Sequence, residues 1–353
     1  MQTIQAKTSR GEYPILIGQG LIKSIGAIAS GAWTGQKAMI VTDSNVAPLY
    51  LDSCRTSLLQ AGIAVCATVI PAGEQSKNLK TLSELYTAFH GAGLSRTDGV
   101  VALGGGVVGD VAGFAAATYL RGLPLLQVPT TLLAQVDSAI GGKTGIDMPF
   151  GKNMVGAFYP PCAVAIDPET LKTLSPHHLA AGMAEVIKYG CILDAGLFAA
   201  IEDAAIDRQN IIQRCAGLKA NVVARDEHDT GQRMLLNFGH TIGHAVEKAT
   251  GFDRYSHGEA VAMGMVAAVR IGEALGVTST GVQERLINVL EMWKLPVELP
   301  LPPAEVLPAL SADKKQLGGK IHFVLLTEMG QALLHQLTIK ELATIAAEVC
   351  YHA

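Results

Sequence analysis

No two of the six cysteines (Cys54, Cys66, Cys162, Cys191, Cys215, Cys350) form a C-x-x-C pair, and their spacing is irregular. They read as buried thiols in a reducing compartment. Charge is also scarce: 16 % of residues are charged and the formal net charge is -4, with no basic surplus. That argues against a dedicated nucleic-acid or membrane-surface partner, and any cations a site needs must be placed locally. The first residues, Met1-Gln2-Thr3-Ile4-Gln5, contain no basic segment followed by an apolar one. No signal peptide is therefore expected, and the cytoplasm is the expected compartment. The most apolar stretch, 100–118, carries Asp110 and several glycines, which suits a buried strand-turn-helix better than a membrane span. Internal repeats and low-complexity tracts are missing too. What is present is 353 residues that are 49 % hydrophobic, enough for two domains with full cores.

The first half alternates short apolar runs with helical patterns. Residues 38–43, 63–70, 100–103 and 125–128 read as strands, and 51–61 and 79–91 as helices. That alternation implies an α/β domain with a parallel sheet and helices on both faces. Pro160, Pro161, Pro168 and Pro176 cluster next, which places a domain boundary between 1–168 and 169–353. The second half is rich in helix formers and is expected to be mainly α-helical. A β-hairpin is expected over 321–326 and 332–337, turning at Met329-Gly330.

Two motifs carry chemistry. Asn237-Phe238-Gly239-His240-Thr241-Ile242-Gly243-His244 sets His240 and His244 four apart, on one helix face, and His257 follows in a Ser-His-Gly turn. Imidazoles so grouped are raw material for a zinc centre, although paired helical histidines are more often surface or core residues. Gly104-Gly105-Gly106-Val107-Val108-Gly109 fits G-x-G-x-x-G after a strand and before a helix, the context of a pyrophosphate-binding loop. No acid stands about twenty residues later to hold a ribose, and Asp43 at an earlier strand end is the candidate replacement. Gly141-Gly142-Lys143-Thr144 is not a nucleoside-triphosphate loop, because Asp137 occupies the place of its first glycine.

Together with 71–77 (PAGEQSK), 129–138 (PTTLLAQVDS), Gly151-Lys152-Asn153 and 185–190 (EVIKYG), these motifs resemble, over nearly the whole chain, the 3-dehydroquinate synthase family of sugar-phosphate cyclases. The resemblance implies an N-terminal, Rossmann-like dinucleotide-binding domain followed by a mainly helical metal-binding domain, commonly in a homodimer. It implies conversion of 3-deoxy-D-arabino-heptulosonate 7-phosphate to 3-dehydroquinate and phosphate, with NAD used catalytically and Zn²⁺ or Co²⁺ as the metal.

Carried over residue by residue, the resemblance makes Glu185, His240 and His257 the metal ligands, with His244 a proton relay or a brace beside them. It assigns Asp43, Glu74, Lys77, the loop from Gly104 through Gly105, Gly106, Val107, Val108 and Gly109 to Asp110, Thr130, Thr131 and Asp137 to NAD. Lys143, Lys152, Thr170, Leu171, Lys172 and Thr173 complete the NAD surroundings. Substrate contacts are implied for Arg121, Asp137, Lys143, Lys152, Asn153, Lys188, Lys219, Arg233, Asn237, His244 and one of Lys314 or Lys315, with Lys315 preferred. Lys152, Lys188, Arg233, Asn237 and His244 fall nearest the chemistry.

Arg233 and Lys219 are the carboxylate candidates, and the resemblance offers Arg121 a place at a dimer interface. Arg233 and Asn237, four apart, are expected to share a helix face. Without the resemblance, Glu74 and Lys77 read as a solvated helix-start pair, and Thr130 and Thr131 as helix caps. Alternatives are another cyclase, such as one forming aminodehydroquinate, or a metal-dependent polyol dehydrogenase.

Overall fold

Short apolar runs, each bounded by a turn, build one sheet from the first half of the chain. The computed structural model describes residues 1–251, 253–301, 303–312 and 320–350. It divides into a first unit, Met1–Ser175 with Arg208–His228, and a second, Pro176–Asp207 with Asp229–Ala353. The division falls at Ser175 rather than at 168, and the helix Arg208–Arg225 returns to the first unit, where it packs on the N-terminal strand. No composition change marks that return, so a linear reading assigns the helix to the second domain.

The first unit holds strands β1 (Gln2–Thr8), β2 (Gly11–Ile17), β3 (Lys37–Asp43), β4 (Ala64–Ile70), β5 (Gly99–Gly104), β6 (Leu125–Pro129), β7 (Lys143–Met148), β8 (Gly151–Phe158) and β9 (Ala163–Ile166). Seven of them form one sheet in the order β1-β2-β9-β6-β5-β3-β4. Every neighbouring pair is parallel except β1 with β2. The four expected strands are β3, β4, β5 and β6. The β1–β2 hairpin, β9 and the separate β7–β8 hairpin were not expected. β9 has four residues, and β7 and β8 carry glycines that oppose one another at Gly145 and Gly156, so their apolar patterns are weak.

Strand alternation explains the two-faced sheet. Met39, Val41, Val100, Ala102 and Leu125 point to one side, where Leu82, Leu85 and Phe89 of the helix Leu79–Gly91 join Val111 and Ala115 of the helix Gly106–Thr118. Ala38, Ile40, Val101, Leu103, Leu126 and Val128 point to the other, against Ile25, Ala29, Cys54 and Leu58. Fully burying a side chain such as Phe89 contributes roughly 1.5–3 kcal/mol. Asn78 caps the helix Leu79–Gly91 by accepting the Thr81 N–H at 2.9 Å.

The six cysteines are free thiols, four of them buried, whereas Cys66 is exposed and Cys162 half-buried. The exception follows from topology: Cys66 lies on β4, which ends the sheet order. Burial pushes the Cys54 and Cys162 thiols up to about 12, so they stay protonated.

The second unit is mainly helical, with helices Pro176–Leu193, Ala195–Glu202, His240–Ala249, His257–Ala274, Val282–Met292, Pro303–Ala312 and Ile339–Val349. Strands β10 (Lys320–Glu328) and β11 (Gln331–Thr338) form the expected antiparallel hairpin, with Gly330 at a φ of 85° in its turn. No helix among the described residues is long and apolar enough to cross a membrane.

Asp98, 5 % exposed, ties the start of β3 to the loop before β5. Its carboxylate accepts the Ser95 N–H and hydroxyl, both at 2.7 Å, and the Lys37 N–H at 3.0 Å. Burial alone would raise its pKa, but these donors outweigh it and hold the group below its ordinary 3.8. The contribution to stability is therefore complete above the unfolded-state value and lost as pH falls through the lowered one. Asp98→Asn, which turns an NH₂ toward one of these donors, should cost about 1–3 kcal/mol at neutral pH. Denaturant titrations at a series of pH values should show the gap from the unsubstituted protein closing in acid.

Candidate active site

The helix Pro176–Leu193 is buried throughout 181–192, and within that run stands a carboxylate, Glu185, only 1 % exposed. A buried carboxylate costs several kcal/mol unless a counter-charge or a metal meets it. Lys188, one turn on and 2 % exposed, brings its ammonium against Oε2. Glu185 Oε1 has no hydrogen-bond donor among the described residues, so it keeps lone pairs for a cation.

Two imidazoles face this carboxylate. His240 opens the helix His240–Ala249 just after Gly239, whose φ of 79° turns the chain into the helix. Its Nε2 stands 3.7 Å from Glu185 Oε1 and its Nδ1 3.1 Å from the Phe238 carbonyl. His257 is not in an isolated turn. It is the first residue of the helix His257–Ala274, whose capping box joins Ser256 to Glu259. Its Nε2 lies 3.8 Å from Glu185 Oε1.

One ligand atom from each of Glu185, His240 and His257 lies within 4.8 Å of the other two. Tetrahedral zinc at its usual bond lengths sets ligand atoms about 3.4 Å apart, and Glu185 Oε1 stands 3.7 and 3.8 Å from the two imidazole Nε2 atoms. One open carboxylate oxygen and the two imidazoles that face it thus fit a divalent metal and leave coordination positions open. Close helix contacts hold the group. A Cβ at Gly258 would meet the Ala181 carbonyl oxygen at 2.2 Å, and one at Gly264 the Gly239 carbonyl oxygen at 1.9 Å.

Burial, followed by Lys188 and the neighbouring histidines, holds His240 well below its ordinary pKa and keeps it neutral, as a ligand must be. Burial also pushes His257 down, but its hydrogen bond to Glu247 and the Glu185 and Glu247 charges outweigh that and raise it.

His244 is 54 % exposed and outside the Glu185 group, with its ring centroid 5.4 Å from that of His240. Arg233 and Asn237 do not share a face. Gln232–Asn237 is a 3₁₀ turn, in which residues four apart diverge, so Arg233 is buried and Asn237 exposed.

In the first unit the cofactor candidates gather by register. Asp43 ends β3, Gly104 ends β5 and Pro129 ends β6, while Ile70 and Ile166 end β4 and β9. Asp43 pairs with Ile70, Thr42 with Leu103 and Gly104 with Pro129, so these ends lie abreast. Chain order reverses between β3 and β5, the switch point at which open α/β sheets bind ligands.

There the helix Gly106–Thr118 begins without a side-chain cap. A Cβ at Gly104 would come 2.6 Å from Val108, and one at Gly105 3.0 Å from Thr131, so the loop lies tight on its neighbours. Val108 itself is core, and Val107 half-buried. The Thr130 hydroxyl is buried without a partner among the described residues, whereas Thr131 caps the next turn by accepting the Ala134 N–H at 3.2 Å. An uncapped helix start, a tight glycine loop and an orphaned hydroxyl fit the pyrophosphate of NAD.

Lys77 is buried, not solvated. Its Nζ lies 2.5 Å from Asp110 Oδ2 and 4.0 Å from Glu74 Oε1. Burial acts to lower its pKa, but Asp110 and then Glu74 outweigh that, so it stays charged. Asp137 receives Lys219 Nζ at 2.7 Å on Oδ1 and again on its carbonyl. Lys143 starts β7 and Lys152 lies near the start of β8. Asn153, with a φ of 55°, is exposed and donates its N–H to Asp147 Oδ1 at 2.7 Å. Exposed Arg121, at a φ of 68°, ends the turn Tyr119–Arg121.

The side chains after β9 are engaged locally. Thr170 binds the Asp167 carbonyl and Gln135, Leu171 is core, Lys172 pairs with Glu169, and Thr173 meets Tyr50. Lys314 and Lys315 lie outside the described residues. Two residues the sequence reading passed over help build the sites. Gln135 donates to the Pro129 and Asp167 carbonyls, and Glu247 lies 3.5 Å from His257 Nδ1. Glu247 was detectable, seven residues after His240 and therefore on its helix face.

Residues 67–181 match the family model described as 3-dehydroquinate synthase N-terminal, and 182–316 the one described as 3-dehydroquinate synthase C-terminal. A 3-dehydroquinate synthase of Symbiobacterium thermophilum is 49 % identical over 335 residues, 91 % of this chain and 93 % of the relative. Among solved structures, 2-deoxy-scyllo-inosose synthase complexed with carbaglucose-6-phosphate, NAD⁺ and Co²⁺ aligns with a TM-score of 0.88 at 26 % identity, covering 99 % of this chain and 100 % of that one. The 2-epi-5-epi-valiolone synthase of Streptomyces hygroscopicus subsp. jinggangensis 5008, with NAD⁺ and Zn²⁺ bound, aligns at 0.86 and 29 % identity, covering 95 % and 97 %.

Glu185→Gln removes the anionic ligand while keeping its volume. Metal analysis after dialysis should show zinc retention falling by more than the roughly 10- to 100-fold typical of losing an outer-shell partner. Unchanged retention would remove Glu185 from the ligand set.

Proposed function

The chain belongs to the 3-dehydroquinate synthase family, and on that premise we propose that it converts 3-deoxy-D-arabino-heptulosonate 7-phosphate to 3-dehydroquinate and inorganic phosphate. The observation that carries this reading is the meeting of Glu185, His240 and His257 around one point. When bound, NAD supplies a hydride acceptor that is regenerated within the turnover, and Zn²⁺ or Co²⁺ supplies a Lewis acid.

The chain's own residues bind and orient. The domain holding Asp43, Glu74, Lys77, the Gly104–Asp110 loop, Thr130 and Thr131 takes the dinucleotide, and the mainly helical domain takes the metal. The substrate has two anionic ends, and a chain with net charge -4 meets them with placed cations. Arg233 offers a two-pronged fork for the carboxylate, with Lys188 and Asn237 in the same unit. Lys152 and Asn153 suit the phosphate, and Lys143, Lys219 and Asp137 complete the polar lining of the first unit. His244, largely exposed on the face next to His240, can relay a proton. The departing phosphate takes the neighbouring carbon-bound proton on its own oxygen, so no base stronger than an imidazole is required.

The net reaction is that of a carbon–oxygen lyase acting on a phosphate, in the shikimate route to aromatic amino acids. We place it in the cytoplasm as a homodimer with a small-molecule substrate. Free cysteines support the compartment. The exposed Arg121, at a left-handed φ and with no ion pair among the described residues, supports a role at a subunit contact.

The test is phosphate release from the heptulosonate 7-phosphate with catalytic NAD⁺ and zinc, followed together with NADH absorbance. Stoichiometric phosphate, no net NADH and loss of activity on chelation are the expected outcome. Net NADH without phosphate would assign the chain to the polyol dehydrogenases instead.

A further inference from the structure

The two imidazoles that face Glu185 are held differently at their far nitrogens. His240 Nδ1 meets a backbone carbonyl, that of Phe238, at 3.1 Å. His257 Nδ1 meets a carboxylate, Glu247 Oε1, at 3.5 Å, the outer limit of a hydrogen bond and a distance that commonly tightens when a site closes on its ligand. Glu247 is 3 % exposed, on the helix Glu247 shares with His240, while His257 opens the next helix. Its other oxygen, Oε2, lies 4.0 Å from His244 Nε2. A buried carboxylate is costly unless a donor or a charge meets it, and here it stands behind His257 where a backbone carbonyl stands behind His240.

We propose that Glu247 is a positioning residue of the metal centre: its carboxylate accepts the Nδ1–H of His257, which fixes the tautomer and turns the Nε2 lone pair toward Glu185 and the metal. The proposal rests on Glu185, His240 and His257 being the ligand set. Three consequences follow from elementary chemistry. An anionic acceptor makes the His257 imidazole a more basic ligand than a carbonyl would. The contact ties the helix His240–Ala249 to the start of the helix His257–Ala274, so both ligand histidines keep one orientation. With Glu247 engaged by His257 Nδ1, the second cluster of potential ligands, His244, Glu247 and His257, supports the metal centre and holds no ion of its own.

The test uses the full-length apoprotein and Co²⁺ as probe, with zinc affinity from chelator competition. Glu247→Ala should weaken metal binding about 10- to 100-fold and alter the Co²⁺ visible absorption, with the melting temperature of the apoprotein serving as the folding control. Glu247→Gln keeps the volume and an oxygen acceptor, so it should recover part of the affinity and lie near the tenfold end of that range. If the alanine variant does not fold, the glutamine variant carries the test, and unchanged affinity with an unchanged Co²⁺ spectrum overturns the proposal. Glu185→Gln is measured alongside. Loss of metal there with none at Glu247 overturns the role of Glu247 alone, and no loss in either variant overturns the ligand set beneath it. Binding of a second equivalent of Co²⁺ that is lost in Glu247→Ala would make Glu247 a ligand and overturn the positioning role.

Discussion

A carboxylate buried in an apolar helix is the constraint on which the second unit depends. Glu185 is buried away from solvent, so the elements around it must deliver positive charge, a metal, or both. Lys188 comes from the same helix, one turn away. His240 and His257 come from the starts of two other helices, and they can come so near only because Gly239, Gly258 and Gly264 let those backbones touch. Helix packing in this unit is therefore subordinate to ligand geometry, and the glycines that would weaken an ordinary helix are spent on proximity.

The first unit obeys a different rule. Parallel strands buried on both faces leave only their ends for chemistry, and the carboxyl ends carry the loops that matter. Asp43, the Gly104 loop and Thr130 follow β3, β5 and β6, which the register holds abreast. Chain order reverses between β3 and β5, the topological point at which open α/β sheets take their ligands. Lys77 and Asp110 then pair beside that edge. Their charges are mutually satisfied before any ligand arrives, which keeps a half-buried acid tolerable close to a phosphate-binding loop.

Much of this was legible because the signals were local. Alternating apolar runs give the central strands, and the periodicity of 79–91 gives the helix that the structure shows at Leu79–Gly91. The glycine loop was readable from its strand–turn–helix context, and His240 with His244 from a spacing of four. Other features depended on contacts distant in sequence. The first strand of the N-terminal hairpin is too polar to stand out, and the helix Arg208–Arg225 carries no mark of the strand it packs on. Arg233 and Asn237, four apart, would share a face on an α-helix but diverge on the 3₁₀ turn, with three residues per turn, that holds them. Burial also separated residues of similar type: Lys77 lies inside while Lys172 lies outside, and a spacing rule distinguishes neither.

The sequence by itself determined the periodicities, and with them the element types, the sheet's two apolar faces and the residue types available for metal, phosphate and carboxylate. These follow from backbone geometry and side-chain chemistry, which act within a few residues. Only the tertiary structure decided that Glu185, His240 and His257, spread over three helices, meet within 4.8 Å, and that Glu247 stands behind His257. It alone left the Thr130 hydroxyl and Glu185 Oε1 without a hydrogen-bond partner among the described residues. Such facts depend on how elements pack, and packing is settled by the summed burial and close approach of many side chains rather than by any one stretch of chain.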